Sequence, residues 1–150
     1  MKKTFFTIAT LLVANLSIAQ WTNKSVDNGF DEAYKICHTR KNNGSILKLE
    51  NVYGSTALYL QGGYFCDNVP FVELSFLVNN KWVKYSIIGI TNGEKDCIFL
   101  TEYLADSEFF MSFLNCTSMK IRVNDDCGMP VTEIYEFNMS GSTSAFNFIK

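Results

Sequence analysis

Between Phe30 and Met139 the chain alternates apolar and polar residues in short runs, broken by stretches rich in Asn and Gly. A period of two puts one set of side chains on one face of an extended strand. Runs that recur about every 8–12 residues are the spacing of a sandwich or barrel. The pattern predicts a first strand over Phe30–Thr39. KNNGS (Lys41–Ser45) is a turn, because Asn and Gly tolerate positive φ. Ile46–Val52 follows, with Leu47 and Leu49 opposite Lys48 and Glu50. Tyr53-Gly54-Ser55 turns the chain into Thr56–Gln61.

The clearest hairpin is central. Val72, Leu74, Phe76 and Val78 share one face of Phe71–Val78, with Glu73 and Ser75 on the other. Asn79-Asn80-Lys81 makes the turn, and Trp82–Ile90 returns. Cys97–Tyr103 is a further strand. Met119–Asn124 and Val131–Met139 form a last hairpin around Asp125-Asp126-Cys127-Gly128. One segment breaks the alternation: Asp106-Ser107-Glu108 precedes Phe109, Phe110, Phe113 and Leu114, a helical spacing behind an N-terminal signature. It predicts a short helix over 107–116 that covers an open side of the sheet and buries its phenylalanines. The tail, Ser142–Lys150, reads either as a short helix, with Ala145, Phe146 and Ile149 inward, or as an edge strand. The expected fold class is all-β: an antiparallel β-sandwich or partly open barrel with one short helix and a possible second at the C-terminus.

The first twenty residues follow a different rule. Lys2 and Lys3 precede an uncharged apolar run from Thr4 to Leu16, and Ser17-Ile18-Ala19 fits the small-x-small pattern of a signal-peptide cleavage site. The run is shorter than the ~20 residues of a spanning helix. The reading is a signal peptide over 1–19 and a single secreted domain over 20–150, delivered to the periplasm or outside the cell, with no transmembrane anchor after processing. Losing Lys2 and Lys3 from the 13 basic residues leaves 11 against 15 acidic ones, a net charge of −4. The lysines are scattered, which argues against nucleic acid as a partner.

Five cysteines remain: Cys37, Cys66, Cys97, Cys116 and Cys127. Export makes disulfides the default, and an odd count leaves at least one thiol over. If the strands form a simple meander, Cys37 and Cys66 lie near the same end and are the preferred bridge, with about 3–4 kcal/mol expected from closing the loop. Cys116 and Cys127 are separated by a strand of roughly 20–26 Å, too far for a bridge. No zinc-ligand spacing is present.

Catalytic signatures are absent. The single histidine, His38, is next to Cys37, and neighbours on a strand face opposite ways. There is no GxSxG or HExxH. Glu73, Glu102, Glu133 and Glu136 fall on predicted strands and are the candidates for a paired-carboxylate glycoside hydrolase. Asp125-Asp126 with Gly128 resembles half a calcium loop but lacks the EF-hand spacing, so a polar turn is the simpler reading. No catalytic, metal or cofactor residue is assigned. The aromatics Trp21, Tyr53, Tyr59 and Tyr64 are candidates for a binding patch.

"SILKLENV", "TALYLQ", the hairpin "VELSFLV…WVKYSI", the aromatic helix "EFFMSFL" leading into "SMKIRVN", and the closing "EFNMSGSTSAFNFI" with Phe137, Gly141 and Ala145 follow one another in a distinctive order. That order resembles the small secreted bacterial β-sandwich proteins exemplified by VasI, an accessory of type VI secretion. The resemblance implies a sandwich fold and an accessory role, and carries no site residues. The expected function is a non-catalytic binding or accessory module acting on a protein or cell-envelope partner. One alternative is a secreted hydrolase inhibitor of the lysozyme-inhibitor kind, presenting a disulfide-pinned loop over Gly62–Pro70. The rival class is a carbohydrate-active hydrolase.

Overall fold

The computed structural model describes residues 21–27, 29, 33–41, 43–52, 54–100, 106–126 and 130–150. The expected signal-peptide segment, Tyr53, Glu102 and Cys127 lie outside the described residues. The elements run β1 (Thr22–Val26), β2 (Tyr34–Arg40), β3 (Ile46–Val52), β4 (Ser55–Gln61), β5 (Phe71–Val78), β6 (Lys81–Ile88), β7 (Ile90–Thr91), β8 (Cys97–Phe99), α1 (Ser107–Asn115), β9 (Ser118–Asp126), β10 (Pro130–Asn138) and α2 (Ser142–Ile149). They form two antiparallel sheets, one ordered β1-β2-β3-β4-β8-β7 and the other β10-β9-β5-β6. The fold is an all-β sandwich with two short helices.

The alternation seen in the sequence sets which face is buried. Leu47, Leu49, Leu58, Leu60 and Ile98 point inward from the six-stranded sheet, and Val72, Leu74, Phe76, Met119, Ile121 and Val123 from the four-stranded one. The β5–β6 hairpin closes on Asn79 and Asn80, with φ of 49° and 62°. That is the left-handed pair a two-residue hairpin turn requires. The helices complete the core, α1 against β5 of the narrower sheet and against α2. Phe109 of α1 meets Phe76 edge-on at 5.2 Å. Phe146 of α2 meets Phe110 at 4.7 Å, and α2 packs on β2 and β3. The Asp106 carboxylate accepts the Phe109 amide at 2.9 Å, an N-cap that fixes where α1 begins.

Several boundaries differ from expectation. A strand at Thr22–Val26 had no hydrophobic signal, because it is an exposed edge strand whose Val26 alone is half-buried; backbone pairing with β2 holds it. The expected Trp82–Ile90 strand breaks at Gly89. There a Cβ would collide with Ile98 Cγ2, and the chain crosses to the other sheet as β7. The simple meander is also incorrect, since β5 and β6 leave the first sheet and β8 returns to pair with β4. The tail is a helix rather than an edge strand.

Candidate functional site

The outward positions of the four-stranded sheet fall in rows given by its register. Lys84 is level with Ser75, Lys120 and Glu136; Ser86 is level with Glu73, Arg122 and Ile134. A hollow of about 150 Å³ lies among Glu73, Ser75, Lys84, Tyr85, Ser86, Lys120, Arg122 and Ile134. Arg122 donates to Glu73 at 2.8 Å, and Lys120 is 3.6 Å from Glu136. Lys84 makes no ion pair among the described residues. Three cations against two carboxylates leave one positive charge in excess on a chain whose net charge is −2.

Apolar side chains frame this charged centre. Trp82, 41% exposed, stands at one end with the Lys120 ammonium 4.8 Å above its ring. Phe71 and Ile88 are opposite one another at the other end, and Ile88 is 57% exposed. Exposed Trp and Arg are among the residue types enriched at contact surfaces. The sequence reading missed Trp82, because its strand position matched its neighbours and only exposure distinguishes it.

The loop from Gly62 to Pro70 runs into this end of the sheet. The buried Asp125 carboxylate accepts the amides of Cys66 at 2.6 Å and Asp67 at 2.8 Å. Asp125 is therefore a clamp on the loop, and not merely a polar turn residue. The Lys95 ammonium donates to the Cys66 carbonyl, Thr91 N–H to Asn68 O at 2.9 Å and Phe65 N–H to Lys95 O at 2.8 Å. From this braced loop Tyr64 projects, 72% exposed.

The expected Cys37–Cys66 bridge is not formed. Cys37 is a free, buried thiol that donates to Ala145 O at 3.2 Å. The register sets it level with Leu49 and Leu58 in mid-strand, whereas Cys66 lies beyond the end of β4. Cys66 is nevertheless disulfide-bonded. Cys97 and Cys116 are also free and buried. Burial pushes these thiols up, to about 11 for Cys37 and Cys97 and about 12 for Cys116, so they stay protonated and unreactive.

The other candidate residues are dispersed. Trp21 packs against the core. Tyr59 is half-buried on the outer face of the six-stranded sheet, edge-on to Phe99 at 4.8 Å and 4.7 Å beneath the Lys48 ammonium. Burial, then the neighbouring Glu50, raises its hydroxyl well above the ordinary range. His38 lies on the same face, its pKa lowered by burial and then by Arg40 and Lys48. Of the acids, Glu73 and Glu136 each sit against their own cation, on strands separated by β9. Glu133 accepts from the Tyr135 hydroxyl at 2.5 Å. Among the described residues no three His, Cys, Asp or Glu side chains converge to hold a metal ion.

These features define a small β-sandwich protein with one open, charged and aromatic-flanked sheet face. No family model matches the chain, and no curated protein matches it, so the resemblance to VasI gains no sequence support. Among solved structures, the crystal structure of invasion associated protein B from Bartonella henselae is similar. It is 11% identical, with a TM-score of 0.59 over 86% of this chain and 90% of that one. At that identity the likeness is one of fold.

Proposed function

We propose that this chain is an exported, non-catalytic binding module whose contact surface is the outer face of β10-β9-β5-β6. The observation that carries the reading is the hollow itself, where Lys84, Lys120 and Arg122 outnumber Glu73 between Trp82 and the Phe71–Ile88 pair. Such a face suits an anionic group on a protein or cell-envelope partner, with the aromatics adding area at low entropic cost. The structural neighbour's name associates it with invasion, which is compatible with an accessory role. The test compares affinity capture by the wild-type chain and by Lys120→Glu from the same envelope extract. A partner retained by the first and lost by the second supports the reading. An identical set from both, with the variant folded by circular dichroism, removes it.

A second reading is favoured by the braced Gly62–Pro70 loop. A rigid loop with an exposed tyrosine is the geometry of an inhibitor that inserts into an enzyme cleft. Tyr64→Ala is its test: inhibition of a peptidoglycan hydrolase by the wild-type protein and not by the variant would establish it. No inhibition by the wild type would end it.

A further inference from the structure

The free edge of the four-stranded sheet has a self-complementary order of side chains. β6 is the last strand of its sheet, and no described strand lies beyond it. Its burial pattern is exposed at six of eight positions, so both its backbone and most of its side chains are open. The direction of its backbone groups follows from two observations. Val78 and Lys81 flank a two-residue turn, and Gly89 N–H donates to Pro70 O at 2.9 Å. Hydrogen-bonded pairs alternate along an antiparallel ladder, so Lys81, Val83, Tyr85 and Ile87 bond to β5. The N–H and C=O groups of Trp82, Lys84, Ser86 and Ile88 therefore point away from the sheet, into open space.

We propose that this edge pairs with the β6 edge of a second copy of the chain, antiparallel, about a two-fold axis at Tyr85. Directly opposed residues in an antiparallel pair share a face. Centring the pair on Tyr85 sets Trp82 against Ile88 of the second copy, Val83 against Ile87, and Lys84 against Ser86. Apolar residues meet apolar ones, and the exposed Trp82, Val83 and Ile88 all gain partners. No like charges are opposed. Shifting the axis to Lys84 brings the two Lys84 ammonium groups face to face, which is destabilising. Shifting it to Ser86 opposes Lys84 to Ile88 and leaves Trp82 without a counterpart on β6. One register thus satisfies the backbone, the apolar positions and the charges together. Lysines on an edge strand usually discourage pairing; here Lys84 selects the register because its opposite number is a small hydroxyl. The two four-stranded sheets become one eight-stranded sheet, and their two hollows come to lie on one continuous face.

A strand-edge contact is small, so the association is weak and concentration-dependent. Analytical ultracentrifugation of the purified protein from about 10 μM to about 1 mM should show a monomer–dimer equilibrium. Ser86→Pro removes one outward N–H and no bond to β5, a substitution an edge strand tolerates; it should abolish the dimer while the monomer keeps its circular dichroism. Ser86→Lys opposes two ammonium groups at each of the two symmetry-related pairs and should also give monomer. Adding Lys84→Glu to Ser86→Lys sets a carboxylate against an ammonium at both pairs and should restore the dimer. A wild-type chain that stays monomeric throughout overturns the proposal and leaves the edge to a foreign extended peptide. A dimer that survives Ser86→Pro, or is not restored by the charge swap, overturns the register.

Discussion

The outer faces of the two sheets are built from the same kinds of residue and end in opposite states. On the six-stranded sheet, Lys48 bonds Glu50 at 3.1 Å, and both side chains are largely withdrawn from water. Tyr59 lies beneath the lysine and hydrogen-bonds to the same glutamate. That pair is shielded and answered in place. On the four-stranded sheet the ion pairs are about half exposed, Lys84 is left over, and Trp82, Phe71 and Ile88 face solvent. A charge that is already paired and half-buried is costly to disturb and offers little to a ligand. An exposed, imperfectly balanced set is cheap to rearrange and keeps its field available. The difference separates a shielded ion pair from exposed ones although both faces draw on lysines, glutamates and aromatics.

The comparison is broken most severely at Glu50. Glu50→Ala strips the acceptor from Lys48 and Tyr59 together and should cost about 2–3 kcal/mol in urea unfolding. A cost below about 0.5 kcal/mol would show that the face is not self-supporting. Asp125→Asn leaves one acceptor oxygen for two amides, and about 1–2 kcal/mol is expected. Hydrogen exchange at Cys66 and Asp67 should accelerate more than at β9, and uniform acceleration would contradict the clamp. Glu73→Gln, on the open face, should change stability by less than about 1 kcal/mol because its pair with Arg122 is exposed. It should also strengthen anion binding in the hollow, read by calorimetry with a carboxylate-rich probe. The smallest effect is expected from His38. Its folded pKa is depressed below the ordinary value of 6.5 by burial, Arg40 and Lys48, so the unfolded chain takes up the proton first. Its contribution is intact above pH 6.5 and is lost as pH falls through the depressed folded value. His38→Gln should therefore flatten part of the fall in Tm between about pH 7 and about pH 5, and an unchanged slope would refute the assignment.

Much of the fold was legible because strand periodicity is local. Val72-Leu74-Phe76 and Leu47-Leu49 announce their buried face whatever they pack against, and Asn79-Asn80 announces the turn. The α1 helix was legible from Asp106 and the phenylalanine spacing. What failed was non-local. Nothing in TNKSV marks Thr22–Val26 as a strand, because its order comes from the neighbouring edge. The Cys37–Cys66 pairing placed Cys37 near a strand end, whereas the register across β3 and β4 holds it in mid-strand, level with Leu49 and Leu58.

The candidate surface was less legible than the core. Trp82 reads like any strand aromatic, and Tyr59 and Tyr64 look equivalent in sequence, yet one is held beneath Lys48 and the other projects from a braced loop. Which side of a strand is buried is written in the alternation itself, since a residue's neighbours along the chain fix the direction of its side chain. Which buried faces meet, which outer face stays wet and which edge is left unpaired depend on how the sheets are ordered and how wide each is. Those are properties of residues distant in sequence, and only the tertiary structure decided them.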